Sequence, residues 1–460
     1  MKDLTKGSVT KHILSLSGAM AAGMVFQSLY FFVDLWFISK LGKEANAGVG
    51  LAGNLMMVVL AATQMLGVGT TTLIAHAVGR KDQPRAEKVF NQSFIFSLIT
   101  GALFLIGVFL FRDAYANTAA DALTRQRALE YMKWFLPGLG LQFTLISMGA
   151  ALRGTGIVKP TMMVQMVTVV LNIILAPILI AGWLTGHPFG VEGAGMATFI
   201  SITVGVVAMT AYFLKLETYV SFDRAQWAPA PSVWGEMLAI GLPAGGEFLL
   251  IGFYSFVIYY VINRFGSAAQ AGFGTGVRIM QMLFVPVMAV AFAASPVAGQ
   301  NYGARSAERV KQTFRSAALI TVAIMAVMTV LAHLVPDKLV AIFLTDPAAI
   351  AFGSQYFQMV SWNFMASGLI FVISAMFQSM GNSWPPLFSS AFRLTLFIAV
   401  ILWMASRSDF AIIHVWQISV ASVLLQAGVN VALLYREFGK KLTFNIVPDA
   451  VELEPNFPEL

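Results

Sequence analysis

Twelve stretches of this chain are each apolar over about the 20 residues that a helix needs to cross a bilayer. They lie at 13–38, 50–74, 91–111, 129–152, 162–183, 194–214, 236–263, 275–298, 314–336, 355–379, 386–405 and 411–435. Inside a bilayer no water can satisfy backbone N–H and C=O groups, so runs of this kind fold as helices. Composition agrees: 58% of the 460 residues are hydrophobic and only 11% are charged, with a mean hydropathy of +0.76. The fold class is an all-α integral membrane protein. There are no cysteines, which excludes disulfides and thiolate chemistry. The opening MKDLTKGSVTKHILSLSG precedes an apolar run too long for a cleavable signal, so the run reads as an uncleaved first span. The net charge of +7 comes from Lys and Arg in short loops, where they orient spans, rather than from a basic face for nucleic acid.

The twelve runs are two copies of six. LGKEANAGVG (41–50) aligns with FGSAAQAGFG (265–274), sharing the positions of Gly42, Ala45, Ala47, Gly48 and Gly50. VGRKDQPRAEKV (78–89) matches YGARSAERV (302–310) with a three-residue gap. ALRGTGIVKP (151–160) matches MFQSMGNSWP (376–385), pairing Gly156 with Gly381 and Pro160 with Pro385. Each match alone is weak; three in one order, at shifts of 221 to 225, are not. Six is even, so both copies enter the membrane from the same side. The halves are then related by a pseudo-two-fold axis along the membrane normal, with the binding site expected between them. The expected division is a six-helix lobe at 1–214, a linker at 215–235, a second six-helix lobe at 236–441, and an acidic, disordered tail at 442–460. With both termini and the even-numbered loops on one side, that side carries 18 of the 29 Lys and Arg. The positive-inside rule puts it, with linker and tail, in the cytoplasm.

Of 22 Asp and Glu, only Asp34 and Glu247 lie deep in a span. A carboxylate near the bilayer centre costs roughly 2.5–3.5 kcal/mol, so such groups mark ion or substrate pathways, or else join neighbouring helices. For Glu247 the structural alternative is a pairing with Arg278 or Arg393. Each acid lies in the first span of its half, yet they are not repeat equivalents: at a shift of 224 Asp34 falls on Ile258 and Glu247 on Gly23. The two therefore use equivalent faces at depths roughly 16 Å apart. Removed from water, either carboxyl can carry a proton; ionised, either can hold a small cation if other oxygens complete its shell. Asn172 in the fifth span and Thr198 in the sixth can lend such oxygens, or simply bond helix to helix. His76, His333 and His414 show no metal-ligand spacing. No lysine follows a glycine-rich phosphate loop, and HExxH, GxSxG and paired catalytic carboxylates are missing, so neither ATP drive nor enzyme chemistry is expected. No cofactor is implied.

Three stretches carry a resemblance: FFVDLWFISKLG (31–42), PVAGQNYGA (296–304) closing the eighth span, and the N-x-x-x-x-P (172–177) and G-x-E-G-A-G-x-A-T (190–198) run. Together they resemble the multidrug and toxic compound extrusion (MATE) family, over residues 8–440 or so. The resemblance implies a V-shaped pair of six-helix lobes that export organic compounds, usually cationic and aromatic, in exchange for H+ or Na+. It implies coupling roles for Asp34 as the first-span carboxylate and for Asn172 and Thr198 as its companions, all three being ligands if the ion is Na+. Glu247 resembles the seventh-span glutamate of the family's sodium-driven branch. Cavity lining is expected from Met24, Gln27, Phe31, Tyr254, Arg278 and Met282. Two positions depart from the pattern. Ala176 stands where many bacterial members have Asp, and no acid occurs between 354 and 378, where Ser367 or a near neighbour replaces a tenth-span Asp. Each lobe keeps one of two expected carboxylates, which tilts the expectation toward protons. The alternative is a flippase for a lipid-linked precursor of the same superfamily, which calls for a strongly cationic cavity; Arg278 and Arg393 are few for that. The expected setting is the cell (inner or plasma) membrane, both termini cytoplasmic. The expected partners are lipid and small organic substrates, without nucleic acid, around a functional monomer.

Overall fold

The computed structural model describes residues 1–444 except 218 and 408, and the backbone alone for 28–32. Most of the expected tail, from 445 on, lies outside the described residues. In the first lobe α1 is Val9–Ser39, α2 Lys43–Gly53, α3 Leu55–Gly79, α4 Gln83–Ala116, α5 Ala122–Gly154, α6 Lys159–Ala181 and α7 Gly190–Lys215. In the second α8 is Pro231–Ile262, α9 Ser267–Gly303, α10 Ala307–Leu334, α11 Pro336–Ala341, α12 Pro347–Val360, α13 Phe364–Ser379, α14 Trp384–Ala405 and α15 Ile412–Lys441. Twelve spans result, α2 with α3 and α12 with α13 each forming one. No strand occurs among the described residues. The helices overrun the apolar runs by several residues because a helix continues through the headgroup layer after its hydrophobic stretch ends.

The duplication is written in the backbone as well as in the letters. Gly42 (φ +105°) and Gly266 (φ +88°), Lys81 (+59°) and Arg305 (+56°), and Gly156 (+79°) and Gly381 (+74°) are left-handed turn residues at shifts of 224 or 225. Pro137 interrupts the hydrogen bonding inside α5. Its counterpart at the same shift, Ser361, begins the 3-10 break Ser361–Asn363 between α12 and α13. The same span is thus interrupted at the same height in both copies, by different chemistry.

The lobes meet where the pseudo-symmetry requires, α3 against α8 and α1 against α9, with α3 also touching α9. Small residues set the α3–α8 seam, Gly69 lying against Met237 and Gly245 against Ala61. Toward the ends bearing the termini the seam becomes backbone on backbone. A side chain at Gly79 would collide with the carbonyl oxygen of Gln300. Here His76 Nε2–H donates to the Ser379 carbonyl at 2.6 Å, and Thr72 donates to the Gln378 carbonyl at 3.1 Å. The segment before α1 straps the same end. Leu4 is fully buried, its N–H bonded to Gln300 Oε1 (2.9 Å) and its carbonyl to Asn301 (3.2 Å) and Arg309 (3.2 Å). Lys2 N–H reaches back to the Thr155 carbonyl of the first lobe. Leu4, Val9, Ile13 and Leu16 consequently pack with Val297, Phe377 and Leu434, in the core of the second lobe. At the opposite end no hydrogen bond joins the lobes among the described residues. There Met57, Val58 and Leu60 of α3 and Leu249, Phe253 and Phe256 of α8 are exposed. The V is closed at the terminal face and open at the other.

Candidate cation and cargo sites

In the first lobe α1, α6 and α7 touch one another, so Asp34, Asn172 and Thr198 stand on three helices in mutual contact. All three are buried, at 7%, 2% and 5% exposure. Asn172 Nδ2 donates to Thr198 Oγ1 at 3.5 Å. Asp34 Oδ1, Asn172 Oδ1 and Ser201 Oγ, the last a turn beyond Thr198, are buried without a hydrogen-bond partner among the described residues. Buried polar atoms are nearly always paired, so three unpaired oxygens on these three mutually touching helices are acceptors that a proton or small cation can satisfy. Ala176, one turn from Asn172, is fully buried in the apolar core, so the place of a second acid is packed rather than polar.

The second lobe holds a different arrangement. Ser374 of α13 donates to Glu247 Oε1 of α8 at 2.9 Å, and Ser390 and Arg393 of α14 flank the carboxylate. Gln426 of α15 donates to Ser390 at 2.9 Å. The Arg393 guanidinium sits 4.4 Å from the centre of the Tyr254 ring, a contact worth about 0.5–2 kcal/mol. The Tyr254 hydroxyl shares a 2.6 Å hydrogen bond with Ser419. Arg393 thus rests on an aromatic face, and neither it nor the exposed Arg278 forms an ion pair with Glu247 among the described residues. Beside Glu247 lies a cavity of about 30 Å³ lined by Phe248, Met288, Phe371, Ser374 and Gln378, room for one or two waters.

In place of a tenth-span acid stands Ser367 or a near neighbour, and the structure gives Ser367 a partner of its own. It donates to Asn363 one turn back on its own span, and the hydroxyl facing Glu247 is that of Ser374, seven residues on and two turns deeper. Of the expected cavity residues, Gln27 is exposed and accepts from Gln165 Nε2 at 3.0 Å, and Met24 is half-buried three residues earlier. The side chain of Phe31 lies outside the described part of the structure. Tyr254 belongs to the Arg393 cluster, while Arg278 and Met282 are exposed one turn apart on α9. Ser390 and Gln426 have no counterpart in the sequence reading. The signal for Gln426 was a polar stripe, Ser419, Ser422 and Gln426 at helical spacing in an otherwise apolar span.

With this geometry in view, comparison with known proteins is decisive. The MatE family model matches residues 19–178 and again 243–404. The chain belongs to the MatE family. The two matches begin 224 residues apart, the shift of the internal repeat. Among relatives, the probable multidrug resistance protein YoeA of Bacillus subtilis is 24% identical over 85% of this chain and 86% of its own. The probable multidrug resistance protein NorM of Thermotoga maritima is 23% identical over 94% and 93%. A solved structure described as the outward-facing conformation of a multidrug resistance MATE family transporter of the MOP superfamily superposes with a TM-score of 0.89. It is 27% identical over 95% of this chain and 98% of that one. This MatE protein is a membrane transporter, not an enzyme.

Proposed function

We propose that this MatE transporter exports small organic compounds, cationic aromatic ones among them, by exchanging them for a cation as its lobes rock about the seam. The observation that carries the exchange is the set of unpaired buried oxygens at Asp34, Asn172 and Ser201. Asp34 loads the cation, Asn172 and Thr198 tune it, and Glu247, already hydrogen-bonded by Ser374, serves the second lobe. A single carboxylate per lobe favours H+ over Na+, which wants several oxygens at once. Cargo and cation must prefer opposite conformations, because a ligand moves an equilibrium only by its difference in affinity. We infer from the Lys and Arg distribution that the closed terminal face is cytoplasmic in a cell carrying the protein in its plasma membrane, so that the V opens outward. The multidrug names of YoeA and NorM support organic cargo rather than a lipid-linked precursor. The test is transport of a fluorescent organic cation into proteoliposomes under a proton gradient or a sodium gradient imposed separately. Accumulation is expected with the proton gradient; movement with neither would refute exchange.

A further inference from the structure

Arg153 is the last residue but one of α5, just past the apolar run at 129–152, where the sequence places it in a loop. Helical side chains lean toward the N-terminus of their helix. The C-terminus of α5 is at the terminal face, so Arg153 leans back into the membrane. Its Nη2 lies 3.4 Å from the point a Cβ on Gly67 would occupy, and its Nη1 3.7 Å from the corresponding point at Gly149. Gly67 lies seven residues inside the terminal-face end of the apolar run 50–74, so the guanidinium sits within the membrane, roughly 10 Å from that end. An arginine that merely snorkelled would turn the other way, toward the terminal face. At that depth it has no hydrogen-bond acceptor among the described residues. The arginines in ion pairs among the described residues are Arg85, Arg112 and Arg127, and no acid comes within 4.0 Å of Arg153. The residue stays partly exposed, and two side-chain-free positions keep the space around its charge open. Thr161 Oγ1 of α6 shares that space, 3.7 Å from the same point at Gly149, and it too is buried without a partner.

We propose that Arg153, with Thr161, is an anion subsite in the first lobe that takes the carboxylate of an amphoteric cargo. A guanidinium fork matches a carboxylate bidentately. One arginine balances one negative charge, which fits a carboxylate better than a phosphate monoester carrying about 1.5 to 2. Asp34 and Arg153 then give one lobe a negative and a positive pole, so the cargo class is an organic ring system bearing both a basic and an acidic group. The assignment rests on the reading of the chain as an exporter of organic compounds.

The test uses two xanthene dyes that differ only at one group, a zwitterion with a free benzoate and its methyl ester, a plain cation. Binding of each to the detergent-purified full chain is followed by fluorescence anisotropy. The wild type is expected to bind the free acid about tenfold more tightly than the ester. Arg153→Gln should abolish that preference and leave ester binding unchanged, while Arg153→Lys should keep part of it. Should Arg153→Gln fail to fold, Gly67→Ala crowds the guanidinium without a steric clash and should lower affinity for the acid alone. Equal affinity of the wild type for both dyes, or equal loss of both in Arg153→Gln, overturns the subsite while the exporter reading stands. Binding of neither dye by the wild type overturns both.

Discussion

Asp34 has the clearest consequence of any single residue. Its Oδ1 is buried without a partner, and Asn at the same place keeps shape and a hydrogen-bonding oxygen while carrying neither charge nor proton. Asp34→Asn is expected to fold, to bind cargo in detergent, and to accumulate nothing above protein-free vesicles under an imposed gradient. Accumulation at the wild-type rate would show that coupling resides elsewhere. Glu247 differs in being engaged already. Ser374→Ala removes one charge-assisted hydrogen bond, worth about 1.5–3 kcal/mol, and should slow gradient-driven export by roughly tenfold or more. The midpoint of thermal unfolding should move little; a collapse of that midpoint with transport intact would make the serine a packing residue. Both acids were visible in the sequence because charge is conspicuous in an apolar run. Ser374 was not: a serine among Ile373, Ala375 and Met376 reads as helix filler until its facing helix is known. Arg153 was hidden by the opposite error, because the end of an apolar run gives a residue's height but not the direction its side chain takes.

Among the elements, α3 governs the closed seam, and its closest approach there is made by glycine and backbone. Gly79→Ala places a methyl against the Gln300 carbonyl, an overpacking that costs about 1–3 kcal/mol in the closed state only. The variant should shift the lobes toward separation at the terminal face. Spin labels on cysteines introduced on α4 and α10 near that face would read this as a longer distance, and no native cysteine needs removal first. An unchanged distance distribution would show that the seam yields elsewhere. The twelve spans and their pairing into halves were legible because period, length and repeated glycine turns all survive in the letters. The interruption at 361–363 was not. Its first-lobe counterpart is announced by Pro137, whereas Ser361, Trp362 and Asn363 carry no breaker; only packing reveals the break.

The whole molecule is two equal lobes held at one face, and its orientation is open to direct measurement. Reporters fused after Leu460 and within 217–232 should both read cytoplasmic, as the Lys and Arg count predicts. An extracellular signal from one alone would sink the twelve-span map, and from both would reverse the V, turning the state described here into an inward-open one. The positions of Ala75 and Gly299 face each other across the seam, a Cβ at the second lying 2.9 Å from that of the first, so the seam has to give by about 1 Å to reach disulfide spacing. Cysteines at both should cross-link on oxidation and stop transport, with activity returning on reduction. Transport by the cross-linked protein would mean that the lobes need not part at this face.

The strap formed by Leu4 also sets a schedule for biosynthesis. Leu4 and the Gln300 amide that receives it are 296 residues apart, with seven spans between them and Gln300 near the end of the eighth. At 5–20 residues per second the ribosome needs about 15–60 s to bridge that interval. Throughout it Leu4 and the adjoining Val9 and Ile13 have no second lobe to enter, and the surface they will occupy has not been made. The first-made helix is thus completed by the second half of the chain, and the strap is fastened late, once both lobes are in the membrane.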